Sequence, residues 1–329
     1  MDRITLSVAM CTYNGEAYLP EQLISIAAQT RQPDELVICD DCSSDGTVEI
    51  VKEFASHAPF VVRLLQNNEN LGSTKNFAKA FGNCRFDVIA PSDQDDFWYP
   101  DKLQSMEEVF IKNADAGLVF SNADIVDKNL VPVGCTLWKS VDFNSRLQRQ
   151  VDAGRAFNAL LKYNFVTGAT MAFPRRFLPL VLPIPELWVH DAWVAILLSV
   201  VTNVIRVDRS LIKYRQHSKQ QLGLRRTGIS AHITTAQARN SHSEYRRKLQ
   251  QYLLVEQRLQ EQKCFEIRDE IGGLLKNKLQ HLDRRFRLPK GRFRRFPMIG
   301  RELLLHRYRD CGHGWRAAVR DMLVNLDDQ

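Results

Sequence analysis

Three aspartates stand close together in the segment APSDQDDFWYP, residues 90–100. In an extended chain alternate side chains point the same way, so Asp93 and Asp95 face one side and Gln94 faces the other. Two carboxylates at this separation can hold one hard divalent cation, such as Mg²⁺ or Mn²⁺, which completes its shell with substrate phosphates. The alternative is a solvated acidic turn. The large aromatic residues that follow directly are unusual for an exposed loop and favour the metal site.

A second pair of carboxylates, Asp40 and Asp41, ends the apolar segment ELVICDD. A carboxylate at the end of a buried strand can accept the imide N–H of uracil or thymine, or a ribose hydroxyl. Tyr13 and Asn14 follow the first apolar segment and can stack on the base or bind it in the same pocket. Alternatively, the aspartates cap a helix or stabilise a turn.

A third polar group occurs in PELWVHDAW, residues 185–193. Trp188 and Trp193 can form a stacking platform, and His190 and Asp191 between them are titratable. His190 fits an orienting or structural neighbour better than a proton acceptor. For Asp191 the alternative to a chemical role is capping of the helix that follows it.

Apolar segments and helical patterns alternate through residues 4–90. Strands are predicted at 4–10, 35–41, 60–66 and 87–90, and helices at 19–29, 48–55 and 73–81. Further strands are predicted at 117–123 and 203–208, and helices at 153–163 and 191–200. This alternation with short connections indicates a parallel sheet covered by helices, in which ligands bind beyond the carboxyl ends of the strands. The polar segments CTYN, DDCSSD and SDQDD all fall at such ends.

Beyond Leu224 the sequence turns to long polar helical patterns, predicted over 230–279, and then to a basic segment, 283–310. The net charge of +7 is uneven, because arginine is concentrated in this segment. Its arginines alternate with apolar residues, namely Phe286, Leu288, Phe293, Phe296, Met298 and Ile299. Such a pattern predicts an element that lies on an anionic membrane surface. The alternatives are a solvated helix face and a homo-oligomer contact, and no nucleic-acid-binding signature is present, so we expect no nucleic acid partner.

Composition and cysteine usage bear on the cellular compartment. Hydrophobic residues make up 44% and charged residues 25% of the 329 residues, as is ordinary for a globular protein. The start, MDRITLSVAM, has no signal-peptide pattern, and the longest apolar run, 192–201, is too short to span a bilayer. The seven cysteines are scattered and odd in number, which favours a reducing compartment. We therefore expect a cytoplasmic protein whose membrane contact is peripheral, on the inner face of the cytoplasmic membrane.

The polar segments belong to a longer pattern, SVAMCTYNGEAYLPEQLISIAAQTRQPDELVICDDCSSDGT followed by NLGSTKNF and SDQDDFWYPDKL. With this spacing the chain closely resembles the family 2 glycosyltransferases, and most of all the bacterial, rhamnosyltransferase-like branch that builds O-antigens and other surface polysaccharides. The resemblance implies an α/β fold of the GT-A type, which is Rossmann-like, with a C-terminal helical extension. Residues 1–115 would bind the nucleotide sugar, 116–222 would bind the acceptor in the same domain, and 223–329 would form the extension.

The resemblance also implies roles for particular residues. The implied donor contacts are Thr12, Tyr13, Asn14, Asp40, Asp41, Lys75, Asn76, Asp93 and Asp96. Asp93 and Asp95 would bind Mg²⁺ or Mn²⁺, with His217 completing the shell unless it is an ordinary surface residue. Asp191 would be the general base, since a carboxylate can remove the proton of an acceptor hydroxyl as the C1–O bond breaks. The acceptor would lie against Trp188, His190 and Trp193.

Together these expectations describe an inverting glycosyltransferase. It would move a sugar from a UDP- or dTDP-linked donor to a hydroxyl of a glycan or of an undecaprenyl-diphosphate-linked oligosaccharide. A nucleotidyltransferase would usually show a glycine- and basic-rich phosphate loop near its start, and a dehydrogenase would show G-x-G-x-x-G after the first strand; neither pattern is present. A non-enzymatic carbohydrate- or nucleic-acid-binding protein is the remaining alternative.

Overall fold

The computed structural model of the protein describes residues 3–217 and 241–324. This part of the chain belongs to two compact units. The described residues of the first unit are 3–154 and 165–217, and those of the second are 155–164 and 241–324. The predicted halves 1–115 and 116–222 therefore contribute most of their described residues to the first unit.

The described strands of the first unit form one mixed sheet in the order β3-β2-β1-β4-β8-β6-β9-β5, with β7 beside β6. Their bounds are β1 (Leu6–Thr12), β2 (Glu35–Asp40), β3 (Val61–Gln66), β4 (Val88–Ser92), β5 (Phe97–Trp98), β6 (Ala116–Val126), β7 (Pro132–Thr136), β8 (Met171–Pro174) and β9 (Asn203–Arg215). The helices up to β9 are α1 (Leu19–Ala27), α2 (Thr47–His57), α3 (Ser73–Asn83), α4 (Lys102–Lys112), α5 (Leu137–Ser140), α6 (Ser145–Asp152), α7 (Ala156–Leu160), α8 (Leu178–Val181) and α9 (His190–Val201).

The first four strands are parallel, as the alternation of elements predicts. β1 lies between β2 and β4 and is almost entirely buried. A strand covered on both faces has apolar residues throughout rather than at alternate positions, which is the character of LSVAMCT. Beyond β4 the sheet is mixed, because β8 runs antiparallel to both β4 and β6.

The long strand β9 brings distant parts of the sequence together. It runs parallel to β6, and its end pairs antiparallel with the short strand β5, where Phe97 lies opposite Lys213. Since β5 directly follows the segment SDQDD, this pairing carries the residues after β9 to the same edge of the sheet.

The helix predicted at 153–163 is wrong in its bounds. α6 ends at Asp152 and α7 begins at Ala156. Gly154 between them has φ of 73°, a left-handed conformation that glycine adopts without a Cβ penalty and that often ends a helix.

The second unit is helical, and buried ion pairs hold its core. Its longer described helices are α10 (Ser241–Glu261), α11 (Glu270–Phe286), α12 (Arg292–Leu304), α13 (Arg307–Cys311) and α14 (Trp315–Leu323). The Asp321 carboxylate accepts hydrogen bonds from Arg285 Nε and NH2 at 2.7 and 2.8 Å, and from the hydroxyls of Tyr245 and Tyr308. Buried charges are tolerated when paired in this way, so the network fixes how α10, α11 and α14 pack.

The helical pattern predicted at 230–279 is confirmed where the structure describes it, with an interruption between α10 and α11; residues 230–240 lie outside the described residues. In neither described range is a helix both long and apolar enough to pass through a lipid bilayer.

Candidate active site

Four carboxylates gather at one edge of the sheet. Asp93, Asp95 and Asp96 follow β4, and Asp191 lies in the first turn of α9. Burial, and then the charges of Asp95 and Asp191, raise the pKa of Asp93 to about 7. The pKa of the buried Tyr214 phenol is raised by its burial and by the charges of all four aspartates. The structure thus brings together the predicted metal site and the predicted base.

Asp96 is the most deeply buried member of this group, at 0% exposure. Its Oδ1 accepts a hydrogen bond from the Arg215 backbone N–H at 3.1 Å, whereas its Oδ2 is buried with no hydrogen-bond partner among the described residues. Burial and the charges of Asp95 and Asp93 hold the pKa of Asp96 well above its ordinary value. A carboxylate in this condition is stabilised by any cation that enters the group.

His217 meets Asp95 across 122 residues of sequence. Its Nε2 lies 2.7 Å from Asp95 Oδ2, and its ring packs at a tilt against that of Tyr18, with 4.8 Å between centroids. This neighbourhood distinguishes His217 from an exposed surface residue. Within residues 3–217 and 241–324, no three His, Cys, Asp or Glu side chains are grouped so that they could hold a metal ion by themselves.

Two buried cations beside the acidic group are absent from the sequence prediction. Arg215 donates from Nε to the Asp95 carbonyl at 2.7 Å and forms an ion pair with Glu21. Lys102 donates from Nζ to the Ala169 carbonyl at 2.7 Å. Burial holds the pKa of Lys102 well below its ordinary value, and the nearby acidic charges act in the opposite direction. Closeness to the D-x-D segment in sequence could have found Lys102, whereas Arg215 lies beyond the strand predicted at 203–208 and had no such signal.

Asp40 and Asp41 have their carboxylates occupied by the protein itself. Asp40 accepts from the Thr12 hydroxyl at 2.8 Å and from the backbone N–H of Ser43 at 2.9 Å. Asp41 accepts from the backbone N–H groups of Leu71 and Gly72 at 2.7 and 2.9 Å. Thr12 and Asp40 therefore tie β1 to β2, and Asp41 holds the loop before α3.

Asn76 extends the Asp41 contacts into a buried amide chain. Its Nδ2 donates to the Cys39 carbonyl at 2.8 Å, and its Oδ1 accepts from Asn67 Nδ2 at 2.9 Å. Asn67 Nδ2 also donates to Asp41 Oδ1 at 2.8 Å, and Lys79 donates to Asn67 Oδ1. This network joins β2, the loop after β3 and α3, which together flank the strand end where Asp40 and Asp41 lie.

The other predicted donor residues are more accessible. Tyr13 is 43% exposed, and Asn14 has φ of 46°, a left-handed conformation that asparagine tolerates. Lys75 forms an exposed ion pair with Glu186, which raises the pKa of the lysine. Tyr13 and Asn14 remain open to a ligand at the end of β1.

Asp191 and His190 meet Gly168 at the start of α9. Asp191 Oδ2 accepts from the Gly168 backbone N–H at 3.2 Å, and burial raises the Asp191 pKa to about 6. His190 is buried against Phe77 with 3.9 Å between ring centroids, and burial lowers its pKa to about 3. A Cβ on Gly168 would lie 2.5 Å from His190 Nε2, so only glycine permits this approach.

The two tryptophans of this segment are both buried. Trp193 has 0% exposure, and its indole N–H donates to the Val181 carbonyl at 2.8 Å. Trp188 has 7% exposure, and its ring lies 5.7 Å from that of Trp193. The contact between this segment and an acceptor stays a prediction.

The geometry agrees with what sequence comparison finds. The pattern described as Glycosyl transferase family 2 matches residues 7–176, just over half of the 329 residues. The chain belongs to glycosyltransferase family 2. The resemblance inferred from the polar segments is thereby confirmed, and residues 7–176 include the ends of β2 and β4, which carry the donor-side aspartates.

Relatives of this family 2 chain include a bacterial rhamnosyl transferase and a bacterial glucosyltransferase. It is 36% identical over 147 residues to the dTDP-rhamnosyl transferase RfbG of Shigella flexneri, which covers 44% of this chain and 48% of the relative. It is 30% identical over 150 residues to the UDP-Glc:alpha-D-GlcNAc-diphosphoundecaprenol beta-1,3-glucosyltransferase WfgD of Escherichia coli, which covers 45% and 57%. The chain spans about half the length of these curated relatives.

Solved structures share the fold at low sequence identity. Staphylococcus aureus TarS 1-349 in complex with UDP-GlcNAc has a TM-score of 0.56 at 16% identity, covering 90% of this chain and 76% of that one. Mannosyltransferase PcManGT from Pyrobaculum calidifontis in complex with GDP-Man and Mn²⁺ has a TM-score of 0.52 at 16% identity, covering 97% and 79%. The GT-A fold with C-terminal helices is confirmed.

The Asp41 contacts generate a test of its structural role. Asp41→Ala leaves two backbone N–H groups without their charged acceptor, so we expect the free energy of unfolding to fall by about 2–3 kcal/mol without any ligand. Urea denaturation measures this loss. Glu49→Ala, on the exposed side of α2, is the control. A loss for Asp41→Ala no larger than that of the control would contradict the role.

Proposed function

We propose that this family 2 protein is an inverting glycosyltransferase that moves a sugar from a nucleotide diphosphate to a hydroxyl acceptor. The observation that carries the proposal is the convergence of Asp93, Asp95, Asp96 and Asp191 at the carboxyl ends of the strands. A mutually repelling, buried acidic group suits a site that takes up a divalent cation together with a diphosphate. Metal-dependent release of UDP or dTDP from a sugar donor, in the presence of acceptor, tests the proposal.

Mg²⁺ or Mn²⁺ would be held by Asp93, Asp95 and His217 together with the donor diphosphate, because these side chains are not grouped closely enough to hold an ion by themselves. The residues fit such an ion, because Asp95 and His217 already lie side by side and Asp96 Oδ2 is buried without a hydrogen-bond partner among the described residues. Few protein ligands are needed, since diphosphate oxygens complete the shell. A bound ion would stabilise negative charge on the departing diphosphate as a Lewis acid.

Asp191 is proposed as the general base. Burial raises the pKa of Asp191 to about 6. The carboxylate is therefore still ionised at neutral pH, and it is basic enough to accept a proton from the acceptor hydroxyl. The Gly168 backbone N–H orients one carboxylate oxygen. As the acceptor oxygen attacks C1 opposite the diphosphate, Asp191 takes its proton and the configuration at C1 inverts. His190, buried and neutral, would position Asp191 rather than titrate.

The donor is proposed to be a UDP- or dTDP-sugar whose base lies near Tyr13 and Asn14 at the end of β1. Support comes from the relatives, which are named as enzymes that use dTDP-rhamnose and UDP-glucose. Thr12, Asp40, Asp41 and Asn76 would support this pocket from behind. Thr12, Asp40 and Asp41 lie at the ends of β1 and β2, at the same edge of the sheet as the end of β4, which precedes Asp93.

The acceptor is proposed to be a glycan or an undecaprenyl-diphosphate-linked oligosaccharide in surface-polysaccharide synthesis, with Trp188, His190 and Trp193 forming part of its wall. WfgD is named for a diphosphoundecaprenol acceptor, which supports this class. A lipid-linked acceptor would make a peripheral location on the inner face of the cytoplasmic membrane useful, and we include that location in the proposal.

The metal site predicts a specific loss on mutation. Asp95→Asn and His217→Ala should each weaken Mn²⁺-dependent binding of UDP or dTDP at least tenfold, because a ligand oxygen charge or nitrogen is lost. Isothermal titration calorimetry with and without Mn²⁺ measures this. Asp87→Asn, at the opposite end of β4, is the matched control. Unchanged affinity in both site variants would argue against the metal role.

The base assignment predicts a pH profile. Below about pH 6 the acceptor kcat/KM should fall tenfold per pH unit as Asp191 takes up a proton, and above it the value should level off. Asp191→Asn should remove this limb and lower the rate by roughly 10²-fold or more, with donor affinity near normal. Initial rates from pH 5 to 8 check both expectations. Retention of the acid limb in Asp191→Asn would assign it to another group.

A further inference from the structure

The helices α12 and α14 of the second unit expose apolar faces. On α12, Phe293, Phe296 and Leu304 are exposed by 87%, 58% and 81%. Their spacing places them along one side of the helix. The other side of α12, with Arg295 and Ile299, is buried. The exposed side is thus a continuous apolar stripe in contact with solvent.

α14 has the same division into faces. Trp315, Val319 and Leu323 are spaced four residues apart and are exposed, Trp315 by 69%. Ala317 and Ala318, on the other side, are buried in an apolar cluster that also contains residues of α12. The two helices therefore pack through their buried faces. Within residues 3–217 and 241–324, each leaves an outer apolar face exposed.

Positive charge surrounds these faces. Within residues 287–324, every exposed charged residue except Asp310 is basic. The exposed cations are Arg287, Lys290, Arg292, Arg294, Arg301, Arg309 and Arg316. Asp310 pairs with Arg309, and the acids Glu302 and Asp321 are buried in ion pairs of the core.

We propose that the outer faces of α12 and α14, called here the apolar-basic surface, bind an anionic lipid surface. The proposal rests on the membrane location included in the proposed function and specifies the surface that would carry it. Arginines meet anionic headgroups while phenylalanine and tryptophan enter the interface. A nucleic acid would use the cations but would gain little from Phe293 and Leu304. A second copy would bring like charges together.

The structure also corrects which apolar residues in and after the basic segment are exposed and can contact a lipid surface. Leu288 and Ile299, which the sequence pattern put at the interface, have exposures of 3% and 4% and belong to the core. Residues outside that pattern, such as Leu304 and Trp315, are exposed instead. The available set follows from helix faces rather than from closeness to arginine in sequence.

The apolar contribution is tested with full-length protein and vesicles of phosphatidylglycerol mixed equally with phosphatidylcholine. The double variant Phe293→Ser, Phe296→Ser should lower the partition coefficient in a flotation assay on the order of tenfold or more, because two rings lose their apolar environment. Leu253→Ser, an exposed leucine on α10 of the same unit, is the control and should partition as the unmodified protein does.

The charge contribution is tested with Arg294→Gln combined with Arg301→Gln. We expect roughly a fivefold loss of partition for each arginine, and a loss that shrinks as salt is raised. The control is Arg246→Gln with Arg247→Gln on the exposed side of α10. Vesicles of phosphatidylcholine alone should bind the unmodified protein weakly.

Three outcomes would overturn the assignment. The first is equal flotation of the surface variants and the unmodified protein. The second is equal binding of the unmodified protein to neutral and anionic vesicles. The third is a surface variant that loses self-association in sedimentation while its flotation is unchanged. Donor turnover on a soluble acceptor is measured in parallel. The surface variants should keep it, whereas its absence in the unmodified protein would contradict the proposed function and leave the flotation result standing.

A second inference concerns Gln94, the middle residue of the D-x-D segment. Its side-chain amide binds the Tyr13 backbone twice, with Oε1 accepting from the Tyr13 N–H at 2.8 Å and Nε2 donating to the Tyr13 carbonyl at 3.0 Å. This paired contact joins the turn after β4 to the turn after β1. It connects the predicted metal side of the donor site with the side where the nucleobase is predicted to bind.

Gly15 gives Gln94 the space for this contact. A Cβ on Gly15 would lie 2.2 Å from Gln94 Oε1, and its three nearest atoms would all belong to Gln94. The backbone of Gly15 is otherwise held by Thr47, whose hydroxyl accepts its N–H at 2.8 Å. Glycine is required here by the approach of one side chain, not by a left-handed backbone.

We infer that Gln94 is a positioning residue that holds the two halves of the donor site at a fixed separation. This inference also rests on the proposed function. Losing the contact would let Tyr13 and the Asp93–Asp95 turn move independently, so a donor that spans both would lose pre-organisation on binding. The expected consequence is a rise in donor KM with a smaller change in kcat.

A double-mutant cycle separates this role from general destabilisation. Gly15→Ala in the unmodified protein should raise donor KM on the order of tenfold, because the new methyl displaces Gln94. In the Gln94→Ala background the same change should have little effect, since the atoms it would meet are gone. Gly82→Ala, whose Cβ would make only an ordinary contact at 3.6 Å, is the control.

The cycle is also run on thermal unfolding without donor. Non-additive effects on both KM and the unfolding midpoint are expected. Additive effects on the midpoint would overturn the contact itself, and a coupled midpoint with additive effects on KM would overturn the positioning role. Absence of any turnover in the unmodified protein would instead contradict the proposed function, and the unfolding cycle would still report on the contact.

Discussion

Repulsion among buried carboxylates is the physical constraint around which the first unit is arranged. Burial favours the neutral forms of Asp93, Asp96 and Asp191, and the charges of neighbouring carboxylates add to this effect for Asp93 and Asp96. A fold built for stability alone would separate such groups or replace them with apolar residues of similar size. Because the carboxylates are kept together, a cation that enters the site would be stabilised. A divalent cation could therefore bind there and hold a diphosphate.

The surrounding scaffold holds this unfavourable arrangement in place without neutralising it. The Arg215 guanidinium donates to the Asp95 carbonyl and forms an ion pair with Glu21. It therefore holds the backbone of the acidic turn and does not pair with the carboxylates of that turn. Lys102 donates to the Ala169 carbonyl, beneath the same turn. At the proposed nucleotide site, the Asp41 carboxylate accepts hydrogen bonds from the backbone of the loop before α3 and holds that loop in place. Rigidity of the acidic turn therefore comes from hydrogen bonds that Arg215 and Lys102 donate to backbone carbonyls.

The second unit uses charge differently. Its buried acids Glu302 and Asp321 are paired with arginines, and further cations are exposed near Phe293 and Trp315. Inside, ion pairs and tyrosine hydroxyls specify how helices meet. Outside, the excess of arginine is exposed beside apolar rings, the combination that an interface between water and anionic lipid accommodates. Charge therefore specifies packing inside the unit and, in our proposal, a lipid partner outside it.

Local patterns determined much of the first unit from sequence alone. The strands β1 to β4, the helices α1 to α3 and α9, and the family all follow from apolar runs, helical periodicity and the spacing of polar segments, because these elements form from neighbouring residues. The break at Gly154 lay within an otherwise helical pattern and was missed. The mixed order of the later strands was not predicted either, because strand pairing depends on segments that are far apart in sequence.

Only the tertiary structure decided which polar groups meet. His217 reaches Asp95, Gln94 reaches Tyr13 and Asp41 reaches Gly72 through strand pairings that bring together residues far apart in sequence. The same holds for the tail, where sequence identified arginine and apolar residues but the helix faces decided that Ile299 is buried and Leu304 exposed. The physical reason is that residue type sets what a side chain can bind, while burial and partners are properties of the packed chain.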